Sequence, residues 1–423
     1  METVLEQILD RNNMNIAYIH VLRNKGSHGV DLMTINDLGP YLKENGKELI
    51  KDILGNKYKP NPVRRVEIPK ENGGIRTLGI PTVIDRVIQQ AINQVLTPYF
   101  ETIFSDNSYG FRPKRSCHDA LKKAVGYMNE GKIWVVDIDL EKFFDKVNHD
   151  KLMYKVALVI KDKRVLKLIR AYLNSGILIN GIITTTEEGT PQGGPLSPLL
   201  ANIMLHDVDM ELERRGLSFV RYADDIQIYV KSPRAGERVM ASITDYIEGK
   251  LKLKVNQNKS NVGQVFWSKY LGYGFYKDNK AGKIKFRVHP KSIQKLKNKI
   301  RKITNRNWSV KIEYRLFKLR QLMTGWIQYF KLAEMKTLMK EIDGWTRRRL
   351  RAVRWKEWKK IKTKHDNLKR LGVNEQKAWQ WANTRKSYWR ISLSFILTKS
   401  LNNQYWYNQG YRSFQKYYST VKI

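Results

Sequence analysis

Residues 219–230 read FVRYADDIQIYV, an apolar run that is broken at its centre by the adjacent acids Asp224 and Asp225. Segments rich in Val, Ile and Tyr on both sides of a short break favour two β-strands joined by a tight turn. Neighbouring carboxylates in such an apolar setting repel each other and lose hydration. One interpretation is a solvated hairpin tip; the flanking strands favour a second, in which divalent metal relieves the repulsion.

A second apolar run, IWVVDID at 133–139, ends in Asp139. A sheet that sets this strand beside the 219–230 hairpin would bring three carboxylates together. Oxygen ligands of this kind suit Mg²⁺, and a pair of ions about 4 Å apart can activate a 3′-hydroxyl and stabilise a leaving pyrophosphate. We therefore predict that Asp139, Asp224 and Asp225 are catalytic and hold two magnesium ions during phosphoryl transfer.

A hairpin is predicted upstream, where RRVEIPK at 64–70 is followed by ENGG and then by IRTL at 75–78. A strand, an Asn-Gly turn and a second strand are typical of a β-hairpin. Its cations Lys70 and Arg76 are candidates for holding the incoming triphosphate. A solvated basic hairpin is the alternative.

The net charge of +38 arises from 78 Lys and Arg against 40 Asp and Glu. Residues 276–423 hold 39 of the basic residues and 8 of the acidic ones, whereas the first 275 residues are nearly balanced. An excess of this size repels itself unless a polyanion neutralises it, and nucleic acid is the obvious polyanion. The chain is therefore predicted to combine a near-neutral body with a basic nucleic-acid clamp.

Other bulk features exclude several classes of protein. The single cysteine, Cys117, excludes an intrachain disulfide and a multi-cysteine zinc site. The sequence has no apolar run of about 18 residues and no signal-like N-terminus, so we expect no membrane partner. A cytoplasmic protein is the resulting expectation. The sequence does not indicate an oligomeric state.

Five motifs occur in the order in which they are found in reverse transcriptases. They are YGFRP (109–113), DIDLEKFFD (137–145), TPQGGPLSP (190–198), YADD (222–225) and KYLGYGF (269–275). Together with RTLGIP (76–81) and GWIQYF (325–330), they resemble the group II intron-encoded reverse transcriptases, or maturases. The resemblance spans nearly the whole chain.

The resemblance implies an α+β fold of the right-hand polymerase type, with fingers and an antiparallel palm sheet. It places an N-terminal extension at 1–60, fingers and palm at 61–283, a helical thumb (the maturase domain) at 284–360 and a basic DNA-binding tail at 361–423. It also implies an RNA-directed DNA polymerase that copies an RNA template from a DNA primer with dNTPs. The partners implied are intron RNA, which the protein helps to splice, and target DNA.

Roles carry over to matching positions. Phe144 falls where the family excludes a ribose 2′-hydroxyl, Gln192 lies near nucleotide and template, and Lys259 matches a lysine proposed to protonate pyrophosphate. Plain core packing is the alternative for Phe144. Asp137 and Asp145, which flank the catalytic strand, are interpreted as structural hydrogen-bonding groups.

Nucleic-acid contacts are predicted for two sets of arginines. One is Arg112 of YGFRP; the other lies on a predicted helix beside several tryptophans and comprises Arg347, Arg348, Arg349, Arg351 and Arg354. Arg and Trp together suit RNA, in which phosphates and unstacked bases are both available. The C-terminal region lacks the clustered Cys and His of the HNH endonuclease found in many family members, so second-strand cleavage is not expected.

Two alternatives stay open. One is an RNA-binding splicing cofactor whose polymerase site is idle, although none of the three aspartates is lost. The other is a reverse transcriptase recruited to phage defence, repair or spacer acquisition, which would use the same chemistry.

Overall fold

The chain forms two compact units, Met1–Gln264 and Val265–Ile423, called here the first and the second unit. The computed structural model describes residues 3–69, 73–179, 182–184, 189 and 193–422. Among the described residues, no helix combines the length and hydrophobicity that spanning a bilayer requires.

The first unit mixes helices with two sheets. Its α-helices are α1 (Val4–Leu9), α2 (Arg11–Asn24), α3 (Ile35–Leu54), α4 (Val83–Glu101), α5 (Cys117–Asn129), α6 (His149–Val159), α7 (Lys163–Leu173), α8 (Ser197–Arg214) and α9 (Pro233–Tyr246). A 3₁₀ turn covers Phe143–Asp145 and a π-helical turn covers Ile247–Leu251. Its strands are β1 (Val63–Pro69), β2 (Ile75–Ile80), β3 (Trp134–Ile138), β4 (Ile177–Ile179), β5 (Ile182–Thr184), β6 (Ser218–Tyr222), β7 (Asp225–Val230) and β8 (Asn261–Gln264).

The central sheet has the strand order β6-β7-β3-β8, and all its neighbouring strands are antiparallel. The two apolar runs that predicted strands form β3 and the β6–β7 hairpin, with β3 and β7 as the two central strands and β6 at one edge. Ile138, Ile226 and Ile228 are fully buried in it, as expected for β-branched side chains on a covered sheet. The predicted adjacency of the two runs is thus found in the fold.

The second sheet of this unit has the order β2-β1-β4-β5. The predicted hairpin forms it in part: β1 and β2 pair antiparallel from Arg64↔Ile80 to Pro69↔Ile75. Strand β4 then adds to β1 in parallel.

Helix α8 lies between the central sheet and α4. It is buried on more than one side, including Leu199, Ile203, Met204 and Val208. A helix that is apolar around most of its circumference belongs in the interior of a domain. Helix α8 also begins directly after the glycine-rich segment that ends at Leu196, and it contacts strand β6 of the central sheet.

The second unit is a β-hairpin followed by helices. The hairpin consists of β9 (Tyr273–Lys277) and β10 (Ile284–Val288). The helices are α10 (Pro290–Ile303), α11 (Ile312–Phe330), α12 (Lys336–Glu357), α13 (Ile361–Arg370), α14 (Glu375–Ala382), α15 (Tyr388–Ile391), α16 (Phe395–Ser400), α17 (Asn403–Asn408) and α18 (Phe414–Val421).

Helix α18 is fixed to α12 by the buried carboxylate of Asp343, which is 2% exposed. Its oxygens accept hydrogen bonds from the Tyr411 hydroxyl (2.7 Å), the Ser413 hydroxyl (2.5 Å) and the backbone N–H groups of Phe414 (2.8 Å) and Gln415 (3.0 Å). A carboxylate that accepts this many hydrogen bonds compensates for its own burial. The C-terminal helix is therefore packed as part of this helical unit.

Candidate active site

The YADD motif forms a two-residue turn between β6 and β7. Tyr222 pairs with Asp225, so Ala223 and Asp224 stand at the tip. Ala223 has φ +60°, a left-handed conformation that is uncommon for residues other than glycine. Asp224 is exposed and Asp225 is half-buried.

Asp139 follows β3 directly. The pairing of β3 with β7 ends at Ile138↔Ile226, so Asp139 and Asp225 are the next residues along two neighbouring strands. The Asp139 backbone is held on its other side, because its N–H donates to the Ser260 hydroxyl (3.0 Å) and its carbonyl accepts from the Asn256 N–H (2.8 Å). The backbone thus brings the three predicted aspartates to one end of the sheet.

The side chains do not form a ready-made metal centre. Within the described part of the chain, no three His, Cys, Asp or Glu side chains are grouped so that they could hold an ion. The Asp139 carboxylate instead contacts an ammonium group: Lys259 Nζ lies 3.1 Å from Oδ1 and 3.4 Å from Oδ2. Both side chains remain accessible, 62% for Lys259 and 41% for Asp139.

Asp137 lies two residues before Asp139, opposite Gln227 in the neighbouring strand. Burial raises the pKa of Asp137 to about 6, a hydrogen bond with Gln227 opposes that rise, and the charge of Asp139 adds to it. This partnership with Gln227 agrees with the structural role predicted for Asp137.

Phe144 occupies the 3₁₀ turn, Phe143–Asp145, that follows strand β3. The turn starts from Lys142 at φ +47°, and Phe144 packs edge-to-face on Phe143 with ring centroids 5.2 Å apart. Phe143 is buried, whereas Phe144 is half-buried. Phe144 therefore keeps part of its ring surface accessible beside the end of β3.

Three predicted nucleotide-binding groups fall outside what is described: the residues Lys70 and Gln192, and the side chain of Arg76. The described glycines on either side of residues 190–192, Gly189 and Gly193, each approach another segment of the chain. Gly189 donates its N–H to the Val147 carbonyl (2.8 Å). Gly193 has φ +125°, and a Cβ there would lie 2.8 Å from the Gly79 carbonyl oxygen. The RTLGIP and TPQGGP motifs therefore meet by close backbone approach, which requires glycine.

The structure corrects the nucleic-acid role predicted for Arg112. Its guanidinium donates to both carboxylate oxygens of Glu101 and to the carbonyls of Ser105 and Ser108. The side chain is only 2% exposed, so it cannot reach a phosphate. Arg112 stabilises the loop that leads to the YGFRP motif.

The C-terminal arginines also differ from the prediction. Arg351 is buried, donates from Nε to the Ser392 carbonyl (2.8 Å), and has a pKa that burial lowers to about 10. This excludes Arg351 from a direct contact with nucleic acid. The Arg348 guanidinium lies 3.8 Å from the Trp389 ring centroid, a cation–π contact that fixes α15 on α12.

The remaining three arginines of this helix are half-buried and have protein partners. The Arg349 Nε donates to the Thr304 hydroxyl (2.6 Å), Arg354 contacts Glu357 (2.9 Å), and Arg347 lies 3.9 Å from Asp343. Their nucleic-acid role therefore stays a prediction, because each group would have to exchange or share a contact within the protein.

A buried polar group beneath the YADD turn was not predicted from the sequence. It consists of Arg221 on β6 and of Asn202 and Asp209 on α8, each at most 1% exposed. A signal was present in the sequence, since Arg221 interrupts an apolar strand and the two polar residues are seven apart on an apolar helix, on one face. Charged residues at such positions are rarely buried without a partner.

Comparisons with known proteins agree with this arrangement. The family described as reverse transcriptase (RNA-dependent DNA polymerase) matches residues 68–275, and the group II intron maturase-specific domain matches residues 293–372. Protein YkfC of Escherichia coli (strain K12) is 34% identical over 285 residues, which cover 58% of this chain and 74% of YkfC.

Group II intron-encoded protein LtrA of Lactococcus lactis subsp. cremoris is 40% identical over 207 residues, 49% of this chain and 34% of LtrA. The putative COX1/OXI3 intron 2 protein of Saccharomyces cerevisiae is 35% identical over 216 residues, 50% of this chain and 25% of that protein. The chain thus matches about a third or less of the length of these two intron proteins. On these matches, the chain belongs to the group II intron-encoded reverse transcriptases, RNA-directed DNA polymerases that also carry a maturase domain.

Proposed function

We propose that the chain copies RNA into DNA with Asp139, Asp224 and Asp225 as the ligands of two Mg²⁺ ions. The observation that carries this proposal is the register of the central sheet, in which Asp139 and Asp225 follow the last pair, Ile138↔Ile226, and Asp224 stands in the adjoining turn. Carboxylate oxygens are the donors that magnesium prefers.

The contact made by Asp139 supports a cation site at this point. Its carboxylate faces an ammonium group at 3.1 Å and is 41% accessible, so it is an anionic oxygen donor open to solvent. When bound, magnesium would neutralise charge on the reacting hydroxyl and phosphates. The aspartates would hold the ions in place, and the sheet would fix the aspartates.

Other residues would select and bind the nucleotide. We assign Phe144 to excluding the 2′-hydroxyl, because its side chain is half-buried and it lies five residues after Asp139 in the 3₁₀ turn. Lys259 is assigned to the leaving pyrophosphate as a charge partner and proton donor. Lys70, Arg76 and Gln192 are proposed to contact the incoming triphosphate and the template.

We further propose that the fold is the right-hand type, with an extension at 1–60, fingers and palm at 61–283, thumb at 284–360 and a DNA-binding tail at 361–423. The antiparallel central sheet would be the palm and the β1–β2 hairpin part of the fingers. In this assignment the KYLGYGF segment, residues 269–275, belongs to the primer grip.

The basic C-terminal third is proposed to bind intron RNA during splicing and target DNA during retrohoming. This proposal is supported by the charge of residues 276–423, which hold 39 basic and 8 acidic residues. Cations that neutralise phosphates release counterions from the nucleic acid, and this release favours binding. We propose a cytoplasmic protein. One alternative, a splicing cofactor with an idle polymerase site, would be recognised by the absence of DNA synthesis. The other, a reverse transcriptase serving defence, repair or spacer acquisition, would be recognised by the genes that flank it.

Primer extension on an RNA template with Mg²⁺ and dNTPs tests the metal assignment. Asp224→Ala should abolish synthesis, whereas Asp245→Ala, an exposed aspartate on α9, should leave it intact. RNA binding measured in parallel should be the same for both variants. Near-normal synthesis by Asp224→Ala would refute the assignment.

A further inference from the structure

Arg221 is an arginine buried in the central sheet, fully enclosed and paired with an equally buried aspartate. Its Nε lies 2.7 Å from Asp209 Oδ1 and its Nη2 lies 2.5 Å from Asp209 Oδ2, a bidentate contact. Both side chains are 0% exposed. Such a fork fixes the plane of the guanidinium as well as its position.

The remaining nitrogen of Arg221 reaches the catalytic turn. Nη1 donates to the Ala223 carbonyl (2.9 Å) and also to Asn202 Oδ1 (2.9 Å). The Ala223 carbonyl belongs to the peptide bond that joins Ala223 to Asp224. Arg221 therefore determines the orientation of the peptide plane from which Asp224 extends.

The opposite side of the turn is closed by Gly110. A Cβ on Gly110 would lie 2.3 Å from the Ala223 nitrogen, so the backbones touch directly. The Gly110 carbonyl accepts a hydrogen bond from Asn202 Nδ2 (2.9 Å). The loop before Gly110 also pairs with the backbone of Arg221: the Tyr109 N–H donates to the Arg221 carbonyl, and the Arg221 N–H donates to the Asn107 carbonyl, both at 2.9 Å. Asn202 thus forms hydrogen bonds with both Arg221 and Gly110, the two residues that contact the turn.

Stability alone is a weak reason for this arrangement. Burying two charges is costly, and replacing a buried pair with apolar residues is often neutral or stabilising. The left-handed conformation of Ala223 is a further local cost. Strained turns persist where surrounding contacts hold them, and they cluster at functional sites.

We infer that Arg221, held by Asp209 and Asn202, is a positioning residue that sets Asp224 in the geometry needed to bind divalent metal. It does not touch substrate; it acts through the Ala223–Asp224 peptide. The inference rests on the proposed metal role of Asp224. Because α8 starts at the glycine-rich loop and carries both partners of Arg221, the same helix supports the turn and that loop.

The test uses a double variant, Arg221→Met with Asp209→Leu, which removes both charges together. An uncompensated buried charge is thereby avoided, so the protein should fold. The peptide of the turn nevertheless loses its donor. Asp85→Asn serves as control: it alters another buried carboxylate of the first unit, 1% exposed, which accepts hydrogen bonds from the Tyr58 and Thr82 hydroxyls.

Three quantities are measured on the full chain: Mn²⁺ affinity by electron paramagnetic resonance, hydrogen exchange of residues 222–226, and primer extension as a function of Mg²⁺. The double variant should bind Mn²⁺ about 10- to 100-fold more weakly, as is typical when a metal ligand loses its orienting partner. Its turn amides should exchange faster, and the Mg²⁺ midpoint should rise. The Asp85→Asn control should keep wild-type metal affinity and turn exchange even if its unfolding temperature falls.

Wild-type Mn²⁺ affinity and turn exchange in a folded double variant would overturn the inference. Should the double variant not fold, Asn202→Leu is measured in its place, because it leaves the ion pair intact and removes the link between Arg221 and Gly110. Failure of the proposed metal site is recognised separately, since Asp224→Ala would then bind Mn²⁺ like the wild type. In that case hydrogen exchange of residues 222–226 still decides whether Arg221 holds the turn.

Discussion

The ammonium nitrogen of Lys259 lies 3.1 Å from Oδ1 of Asp139, so a cationic side chain neighbours the carboxylate that follows strand β3. Both side chains are largely accessible. Exposed ion pairs typically contribute at most about 1 kcal/mol to stability. We therefore expect Lys259 to matter for the reaction, in which a positive charge and a proton near the leaving phosphates would be useful, more than for stability.

Lys259→Met should separate stability from activity. We expect the free energy of unfolding to change by less than about 1 kcal/mol, and the rate of nucleotide addition to fall about 100-fold, the lower range for loss of a proton donor. Urea unfolding and single-turnover extension measure the two effects. Lys259→Arg, which keeps the charge but gives up its proton far less readily, should recover only part of the rate. A wild-type rate in Lys259→Met would remove Lys259 from the reaction.

Phe144→Ala should raise incorporation of rNTPs relative to dNTPs. The side chain is half-buried and packs on Phe143, and its removal would open space where, in the proposed role, a 2′-hydroxyl is rejected. Steady-state extension with each nucleotide type measures the ratio. Phe144→Leu, which retains apolar bulk, should change the ratio less. If sugar selectivity stays unchanged in Phe144→Ala, the ring is core packing only.

Asp343→Ala should loosen the C-terminal helix. The variant leaves the hydroxyls of Tyr411 and Ser413 and two N–H groups without their acceptor, and each buried donor left unsatisfied costs about 1–3 kcal/mol. Hydrogen exchange should rise in residues 411–421, with a lower unfolding temperature. Asp366→Ala, which removes a more exposed carboxylate beside His365, is the control. Unchanged protection of residues 411–421 would contradict this account of how the helix is held.

His206 predicts a pH dependence of stability. Burial lowers its pKa below the ordinary 6.5, with partial opposition from Asp209 and Asp207. The unfolded chain therefore takes up a proton at higher pH than the folded chain, and stability is lost as pH falls through 6.5. Denaturant titrations at about pH 7.5 and pH 5.5 should show a smaller loss in His206→Gln. Equal losses in both proteins would show that His206 does not contribute.

RNA affinity should fall steeply with salt concentration, because the excess of cations in residues 276–423 would release counterions from phosphates. Arg351→Met should leave the slope of log affinity against log salt unchanged, since its guanidinium is buried against the Ser392 carbonyl. Filter binding across a salt series provides both slopes. A flat dependence in the wild type would argue against the basic clamp, and a reduced slope in Arg351→Met would restore that residue to the RNA contact.

Local patterns predicted much of the first unit. The runs at 133–139 and 219–230 became neighbouring strands because period and β-branched composition specify strands buried in a sheet, and the ENGG sequence between two short β-rich runs predicted the β1–β2 hairpin. The position of the aspartates at one end of the sheet followed from the same reasoning.

Local sequence patterns did not predict which arginines are buried. Arg112 and Arg351 look like surface cations in the sequence, but each finds acceptors that are distant along the chain: Glu101 for Arg112, and the Ser392 carbonyl, 41 residues away, for Arg351. Such partners depend on tertiary packing, which composition does not encode. The Asp209–Arg221 pair was not predicted for the same reason, because its two members belong to different elements.

The anchoring of residues 411–415 on Asp343 also bears on how the protein is made. The Gln415 N–H that donates to the Asp343 carboxylate lies 72 residues further along the chain, so during translation α12 leaves the ribosome long before its binding segment exists. Until that segment is synthesised, the carboxylate must stay hydrated and the helix pair cannot close. Completion of this helix pair therefore waits until residues 411–415 have been synthesised, and nascent chains that stop before them would expose a surface that chaperones and proteases recognise.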